Sequence, residues 1–205
     1  MDVAIRTAGE SDREAVTRLL DVTFQDDPVS SWVFPDPEYR RTTHRALMGA
    51  FLHVALTEGR VDLTEDGDAV ALWLSVPDSG GEAGAEGADA DEAVQLREAV
   101  DPDNERVELV ARLTGEIHPE GAAHEYLLLI AVHPDRQGDG LGSALMRPVL
   151  DRCDRDGVAA YLEASNERSR SLYEKLGFRF MGRTVDLPDG PHMWPMWRDP
   201  RPGRR

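Results

Sequence analysis

The 205-residue chain contains one cysteine, Cys153, so it cannot form an internal disulfide or a cysteine-rich metal site. No apolar run approaches the ~18 residues that a membrane-spanning helix needs. The first residues lack the basic start and apolar stretch of a secretory signal. These absences predict a cytoplasmic protein that has no metal and neither crosses nor binds a membrane.

Positive charge is also scarce, because 23 Lys and Arg face 39 Asp and Glu, a formal net charge of −16. Such a surface repels nucleic acid phosphates, which excludes nucleic acid as a partner. An acidic surface attracts cations such as amines, although acidity that serves only solubility explains the charge equally well. Aromatic content is low at 6%, but 40% apolar residues suffice for a globular core, and we expect residues 1–205 to form one domain.

Strand and helix patterns alternate along the chain and predict a mixed α/β (α+β) fold. The segment 78–91 is rich in Gly, Ala and acidic residues and predicts a mobile surface loop. The expected strands are 3–8, 60–65, 69–76, 125–132, 158–164, 178–187 and 192–197. The expected helices are 12–24, 38–57, 91–113, 141–156 and 167–176, with 26–37 as a proline-rich loop. Pro148 should kink the fourth of these helices without ending it, because the apolar stripe continues past it.

A glycine-rich turn, residues 137–143, lies between the apolar strand 125–132 and the helix that follows. Its glycines allow positive φ, and the start of the helix presents unpaired N–H groups, which together favour a pyrophosphate. The turn lacks the lysine of a Walker A loop and the third glycine of a Rossmann fingerprint. A tight turn without a ligand is the alternative interpretation.

Two motifs around this turn resemble the GCN5-related N-acetyltransferase (GNAT) superfamily. Residues 137–142, Gln-Gly-Asp-Gly-Leu-Gly, resemble its Gln/Arg-x-x-Gly-x-Gly/Ala motif, and Asn166, Tyr173 and Gly177-Phe178 resemble its Asn-x6-Tyr-x3-Gly-Phe signature. PDRQGDGLGSAL, YLEAS, YEKLGF and PDGPHMWPMW are most similar to the puromycin N-acetyltransferase branch.

The resemblance implies a twisted mixed sheet of six to seven strands, splayed where acetyl-CoA binds, with helices on both faces. It implies acetyl-CoA as the co-substrate, with pantetheine paired to the strand and pyrophosphate held by the turn. The residues that it assigns to acetyl-CoA are Ile130, Ala131, Val132, Arg136, Gln137, Gly138, Asp139, Gly140, Leu141, Gly142, Ser143 and Asn166.

By the same resemblance, Tyr173 protonates the leaving thiolate and Glu163 receives the proton of the amine. A core tyrosine and a structural carboxylate are the alternatives. Glu125 is the second candidate for the base, but the alternation of a strand places it on the face opposite Tyr126. Aromatic side chains that could line the acceptor pocket are Trp32, Tyr39, Trp73 and Tyr126, although packing in the core is the default for Trp73.

The predicted function is therefore transfer of acetyl from acetyl-CoA to a primary amine of a small molecule, by direct attack in a ternary complex. Cys153 has no evident activating partner for a covalent intermediate and should be a packed, inert thiol. A non-catalytic acyl-CoA sensor and an acetyltransferase for protein amino termini or lysines are the alternatives. His118 and His124 are expected to be surface or hydrogen-bonded histidines, and the protein to be a monomer or homodimer.

Overall fold

The computed structural model describes residues 3–78 and 91–201 in full and residues 86–90 by their backbone alone. Within them, eight strands and seven α-helices are present. The strands are β1 (Ile5–Thr7), β2 (Arg60–Thr64), β3 (Ala69–Val76), β4 (His124–Val132), β5 (Ala159–Ala164), β6 (Arg179–Phe180), β7 (Val185–Asp186) and β8 (His192–Arg198). The helices are α1 (Arg13–Phe24), α2 (Pro28–Val33), α3 (Pro37–Glu58), α4 (Glu86–Val100), α5 (Glu105–Gly115), α6 (Leu141–Asp156) and α7 (Glu167–Leu176).

One mixed sheet has the strand order β1-β2-β3-β4-β5-β8-β6, with β7 paired to β8. All pairs are antiparallel except β4 with β5. The predicted mixed fold is confirmed, but the described sheet has eight strands, not six to seven. The extra strand arises because the expected strand 178–187 divides into β6 and β7, with Gly182 at φ 90° between them.

The sheet splays between β4 and β5. Their parallel pairing ends after three residues, with Tyr126 opposite Tyr161. On its other edge β4 stays paired with β3 as far as Val132, with a register shift that makes Leu128 an additional residue in β4. The edge of β4 that faces β5 is therefore open over most of its length.

Helices cover both faces of the sheet, and each face has its own buried cluster. On one face the cluster is formed by α1, α2, α3 and α5, with Leu20, Leu52 and Val107 among its buried side chains. On the other face it is formed by α6 and α7, with Leu145 and Met146 among its buried side chains. This arrangement holds the splayed edge of β4 between two rigid layers.

The ends of α6 and α7 follow from local capping residues. Gly140 begins α6 and Gly157 ends it, both with positive φ, and α6 continues through Pro148 as predicted. Asn166 caps α7 by accepting a hydrogen bond from the N–H of Ser169 at 2.9 Å.

Two other parts of the chain differ from the sequence prediction. The segment 26–37, expected to be a loop, contains α2, because Asp27 caps the helix and Pro28 occupies its first position. The helix expected at 91–113 is two helices, α4 and α5, because residues 101–104 contain a proline and a new cap, Asn104.

The prediction of a mobile loop at 78–91 is wrong from residue 86 onward. Helix α4 begins at Glu86, since alanine and glutamate are strong helix formers and glutamate is favourable in a first turn. Residues 79–85 lie outside the described residues. That the whole chain forms a single domain stays a prediction.

Candidate active site

A cavity of about 1520 Å³ opens where β4 and β5 diverge. One side of it is formed by β4, the glycine-rich turn and α7, and its lining residues there include Tyr126, Leu128, Ile130, Val132, Gln137, Gly138, Gly140, Leu141, Gly142, Ser143, Asn166, Arg168, Leu172 and Tyr173. The other side is formed by α1, α2, α3 and α5, and its lining residues there include Phe24, Asp26, Asp27, Ser30, Leu47, Met48, Phe51, Val54 and Val110.

The beginning of α6 forms a candidate anion site on the first side. Gly138 and Gly140 have φ of 102° and 82°, and open space lies where their Cβ atoms would be. The first intrahelical bond runs from Ala144 N–H to the Gly140 carbonyl, and α6 has no acidic side chain in its first turn. Within the described chain, the N–H groups of residues 141–143 have no acceptor. Free N–H groups at the positive end of a helix suit a pyrophosphate.

The open edge of β4 leads into this anion site. Ile130 and Val132 both line the cavity, whereas Ala131, between them, is fully buried on the opposite side of the strand. Because β5 leaves β4 after Tyr126, the backbone along this edge is available to an extended ligand. The structure thus fits the pantetheine and pyrophosphate parts of acetyl-CoA, but Ala131 can contribute only through its backbone.

The structure places Arg136 and Asp139 away from the cavity. The guanidinium of Arg136 pairs with Asp68 and with Asp139 at 2.9 Å, and it also meets Asp66 at 3.3 Å. These ion pairs fasten the glycine-rich turn to the β2–β3 hairpin, so the expected phosphate contact of Arg136 is not supported by its position. Arg168 lines the cavity instead and donates to Gln137 Oε1 at 2.9 Å.

Glu163 lies on β5 at the centre of the cavity wall. Its Oε2 accepts a hydrogen bond from the Tyr126 hydroxyl at 2.9 Å, whereas its buried Oε1 has no partner among the described residues. Burial raises the pKa of Glu163 to about 7, against the opposing effect of the hydrogen bond from Tyr126. A carboxylate with a pKa near neutrality and a free oxygen suits a general base.

Glu125, the second candidate for the base, is on the other face of the sheet, as predicted. It accepts a hydrogen bond from Ser75 Oγ at 3.1 Å and lies 3.8 Å from Arg152, and it does not line the cavity. Glu163 is therefore the better placed of the two carboxylates.

Tyr173 projects from α7 into the same cavity and is 5% exposed. Its ring packs against Phe178 with the centroids 6.1 Å apart. Burial, together with the negative charge of Asp27, raises the pKa of the Tyr173 phenol well above its usual value. The hydroxyl is therefore a neutral donor at physiological pH.

Four carboxylates besides Glu163 line the cavity. Asp26, Asp27, Glu92 and Glu120 all contribute to it. Asp27 is fixed in place, because it caps α2 through Oδ1 and accepts a hydrogen bond from Ser165 Oγ at 2.6 Å through Oδ2. A wall of this charge favours a cationic occupant.

Of the four aromatic residues expected in the acceptor pocket, Tyr126 alone lines the cavity. Trp32 is buried against the C-terminal segment and donates to the Pro188 carbonyl at 2.9 Å. Trp73 is fully buried beneath α6, and Tyr39 is 47% exposed on the surface of α3. The apolar wall of the cavity comes instead from Phe24 and from Leu47, Met48, Phe51 and Val54 on α3. The expected loop aromatics miss the cavity because tertiary packing decides which way a loop side chain points.

Two histidine networks reach the cavity. His44 joins Asp21 at 2.7 Å to Ser30 Oγ at 3.0 Å, and Ser30 lines the cavity. His118 also lines the cavity and pairs with His124, with their Nε2 atoms 2.9 Å apart. The second network confirms the expectation of hydrogen-bonded histidines but places one of them in the candidate site.

Cys153 is 1% exposed, and burial raises the pKa of its thiol to about 11. The predicted packing of the thiol is confirmed, whereas its inertness stays a prediction. Among the residues whose side chains are described, no group of three or more His, Cys, Asp or Glu could hold a metal ion. No helix in the described ranges is long and apolar enough to span a membrane.

Residues 84–178 match the model of the acetyltransferase (GNAT) family. A solved structure of a histone acetyltransferase HPA2 and related acetyltransferase from Corynebacterium glutamicum superposes with a TM-score of 0.72, at 24% identity and over 100% of both chains. The chain has the GNAT fold, and its segment 84–178 is similar to the GNAT family.

Curated relatives share part of this GNAT segment. The mycothiol acetyltransferase of Brachybacterium faecium is 41% identical over 64 residues, which are 30% of this chain and 19% of that protein. The [ribosomal protein bS18]-alanine N-acetyltransferase of Escherichia coli is 49% identical over 55 residues, which are 25% of this chain and 37% of that protein. The chain thus spans well under half the length of these relatives. Both relatives are acetyltransferases by name, one of mycothiol and one of a ribosomal protein.

Proposed function

We propose that the protein transfers acetyl from acetyl-CoA to a primary amine of a small molecule. The observation that carries this proposal is that one cavity joins the anion site at the start of α6, a carboxylate with a pKa near neutrality and a buried phenol. Acyl transfer to an amine needs a site for the CoA phosphates, a base and an acid.

Acetyl-CoA would be held by the first side of the cavity. The backbone of Ile130 and Val132 would pair with the pantetheine amides, and the N–H groups of residues 138–143 would bind the pyrophosphate. Arg168, which lines this side, would take the phosphate contact first expected of Arg136. Asn166 would shape this side through the start of α7.

The chemistry would use two side chains. Glu163 accepts a proton from the ammonium, directly or through water, and the freed nitrogen attacks the acetyl carbonyl. As the C–N bond forms and the C–S bond breaks, Tyr173 gives its proton to the departing sulfur. The resulting tyrosinate then takes the second proton of the attached nitrogen, which leaves a neutral amide and restores the phenol. Cys153 is excluded as a covalent carrier, because its thiol is buried and its pKa is raised to about 11.

The acceptor would be a small cation. Four carboxylates besides Glu163 line the cavity, which also contains the apolar stripe of α3. An aminonucleoside, which combines an amine with a large apolar group, fits this combination and agrees with the resemblance to the puromycin branch. The similarity to a ribosomal-protein acetyltransferase supports the alternative, a protein amino terminus.

The test is thiol release from acetyl-CoA with puromycin, spermidine, L-alanine and a lysine-rich peptide. We compare the wild type with Tyr173→Phe and with Tyr39→Phe, a matched control on the surface of α3. Loss of the acid should lower kcat about 100-fold or more, whereas the control should retain full activity.

Other outcomes separate the alternatives. Turnover of the peptide alone would favour a protein acetyltransferase. No turnover of any amine, with acetyl-CoA still bound, would reject the enzyme and favour the acyl-CoA sensor.

A further inference from the structure

His118 and His124 form a chain of hydrogen bonds that ends in the cavity. His118 lies between α5 and β4, and His124 is the first residue of β4. The Nδ1 of His124 lies 2.7 Å from the Ala122 carbonyl, and its Nε2 lies 2.9 Å from the Nε2 of His118.

The positions of the protons follow from these two contacts. A carbonyl can only accept, so Nδ1 of His124 carries a proton and donates to Ala122. A neutral imidazole has one N–H, so Nε2 of His124 is an acceptor and Nε2 of His118 must donate to it. Nδ1 of His118 is then left with a free lone pair.

Both rings are neutral at physiological pH. Burial lowers the pKa of each, that of His118 to about 4. No hydrogen bond to Nδ1 of His118 occurs within the described part of the chain. This lone pair is therefore free for a partner that enters the cavity, which His118 lines.

Packing fixes the ring of His118. It meets Tyr126 edge-on with the centroids 4.8 Å apart, and Tyr161 in the same way at 4.7 Å. Tyr126 in turn donates to Glu163 at 2.9 Å. His118 is thus held next to the tyrosine that contacts the proposed base.

We propose that Nδ1 of His118 accepts a hydrogen bond from an N–H of the acceptor molecule, and that His124 fixes the tautomer that makes this possible. The inference rests on the proposed function and assigns His118 to binding and positioning the acceptor. A lone pair repels carboxylate oxygens, so the acceptor presents N–H groups, not a carboxylate, on the side that meets His118.

The tautomers can be measured in the free protein. Two-dimensional NMR of ¹⁵N-histidine-labelled protein at pH 7 should show His118 protonated at Nε2 alone and His124 protonated at Nδ1 alone. The signals are assigned from single His→Asn variants. A His118 that is protonated at Nδ1, or doubly protonated, would overturn the inference before any substrate is added.

Kinetics test the contact itself, with the panel amine that is turned over fastest. His118→Phe keeps a ring but removes the acceptor, and should raise the KM for the amine about tenfold, the upper end for one neutral hydrogen bond. The KM for acetyl-CoA should not change. His118→Asn, whose amide oxygen can occupy the place of Nδ1, should restore most of the affinity. His53→Phe, a surface control, should behave as the wild type.

The variants also separate binding from folding. His118→Phe leaves Nε2 of the buried His124 without its donor, which can lower the stability of the variant. The urea unfolding midpoint of His118→Phe is therefore measured together with its kinetics. An unchanged KM for the amine in folded His118→Phe, or no recovery in His118→Asn, would refute this inference alone. Absence of turnover by the wild type would instead reject the proposed function and this inference with it.

Discussion

The shifted pKa of Glu163 couples the stability of the protein to pH. Folding raises this pKa from 4.5 to about 7 through burial. Between these values the unfolded chain has lost the proton that the folded chain still holds, so the free energy of unfolding falls as pH rises. Glu163→Gln removes this titratable carboxyl group and therefore its contribution to the pH dependence of stability.

The magnitude follows from the shift. One pKa unit corresponds to about 1.36 kcal/mol, so Glu163 should cost the folded state about 3 kcal/mol above pH 7 and almost nothing below pH 4.5. His118 acts in the opposite direction, because folding lowers its pKa from 6.5 to about 4. As pH falls from 6.5 to about 4, the unfolded chain takes up a proton at His118 before the folded chain does, so the free energy of unfolding falls. The effects of Glu163 and His118 therefore largely cancel in the wild type.

The difference between variant and wild type isolates Glu163. Urea unfolding is measured from pH 4 to pH 8.5 for both proteins, and the variant should gain about 3 kcal/mol relative to the wild type between pH 4.5 and pH 8. His118→Asn, measured in the same series, should show the opposite trend. A difference between Glu163→Gln and wild type that stays constant across the series would refute the account of a buried, proton-binding carboxylate.

Three further predictions concern the scaffold. Gly140→Ala places a side chain at φ 82° and should lower stability by about 1 kcal/mol, measured by urea unfolding; an unchanged midpoint would contradict the left-handed cap. Arg198 is 3% exposed and donates to both carboxylate oxygens of Asp154 at 2.7 Å. Asp154→Ala leaves this buried guanidinium without its partner and should lower the free energy of unfolding by about 3 kcal/mol in the same assay. A loss as small as that of the surface variant Asp156→Ala would argue against a buried ion pair. Cys153 should resist iodoacetamide at pH 8 in the folded protein and react in urea, as mass spectrometry can show, and rapid labelling without urea would mean that the thiol is exposed.

Features set by neighbouring residues could be predicted from the sequence. The bounds of α6 and α7 match the predicted helices, because Gly140, Gly157 and Asn166 are caps that act on adjacent turns. The same kind of signal precedes α2, where Asp27-Pro28 is a cap followed by a first-turn proline, but the prolines were interpreted as marks of a loop.

Features set by distant residues could not be predicted. The guanidinium of Arg136 could bind a phosphate, but it pairs with Asp66 and Asp68 on a hairpin about 70 residues earlier in the chain. These pairs hold it outside the cavity. Trp32 is turned away from the cavity by a hydrogen bond to Pro188, 156 residues later. Contacts across such distances depend on the packed fold and leave no pattern in the local sequence.

Helix α5 and the segment after it bring His118 to the cavity, which strand and helix patterns do not indicate. Two histidines six residues apart suggested hydrogen-bonded residues at most. The tautomer of His118, and thus its free lone pair, is set by the Ala122 carbonyl, and backbone geometry of this kind is invisible in sequence.

The strand order has a consequence for biosynthesis. Strand β8 is the last strand of the described chain, yet it lies inside the sheet between β5 and β6, where Pro195 stands opposite Glu163. A ribosome that has made residues 1–191 has synthesised every other described strand but not the one that completes this half of the sheet. The nascent chain therefore carries an open edge on β5 until residues 192–198 have been made, and the wall that holds Glu163 is completed only then.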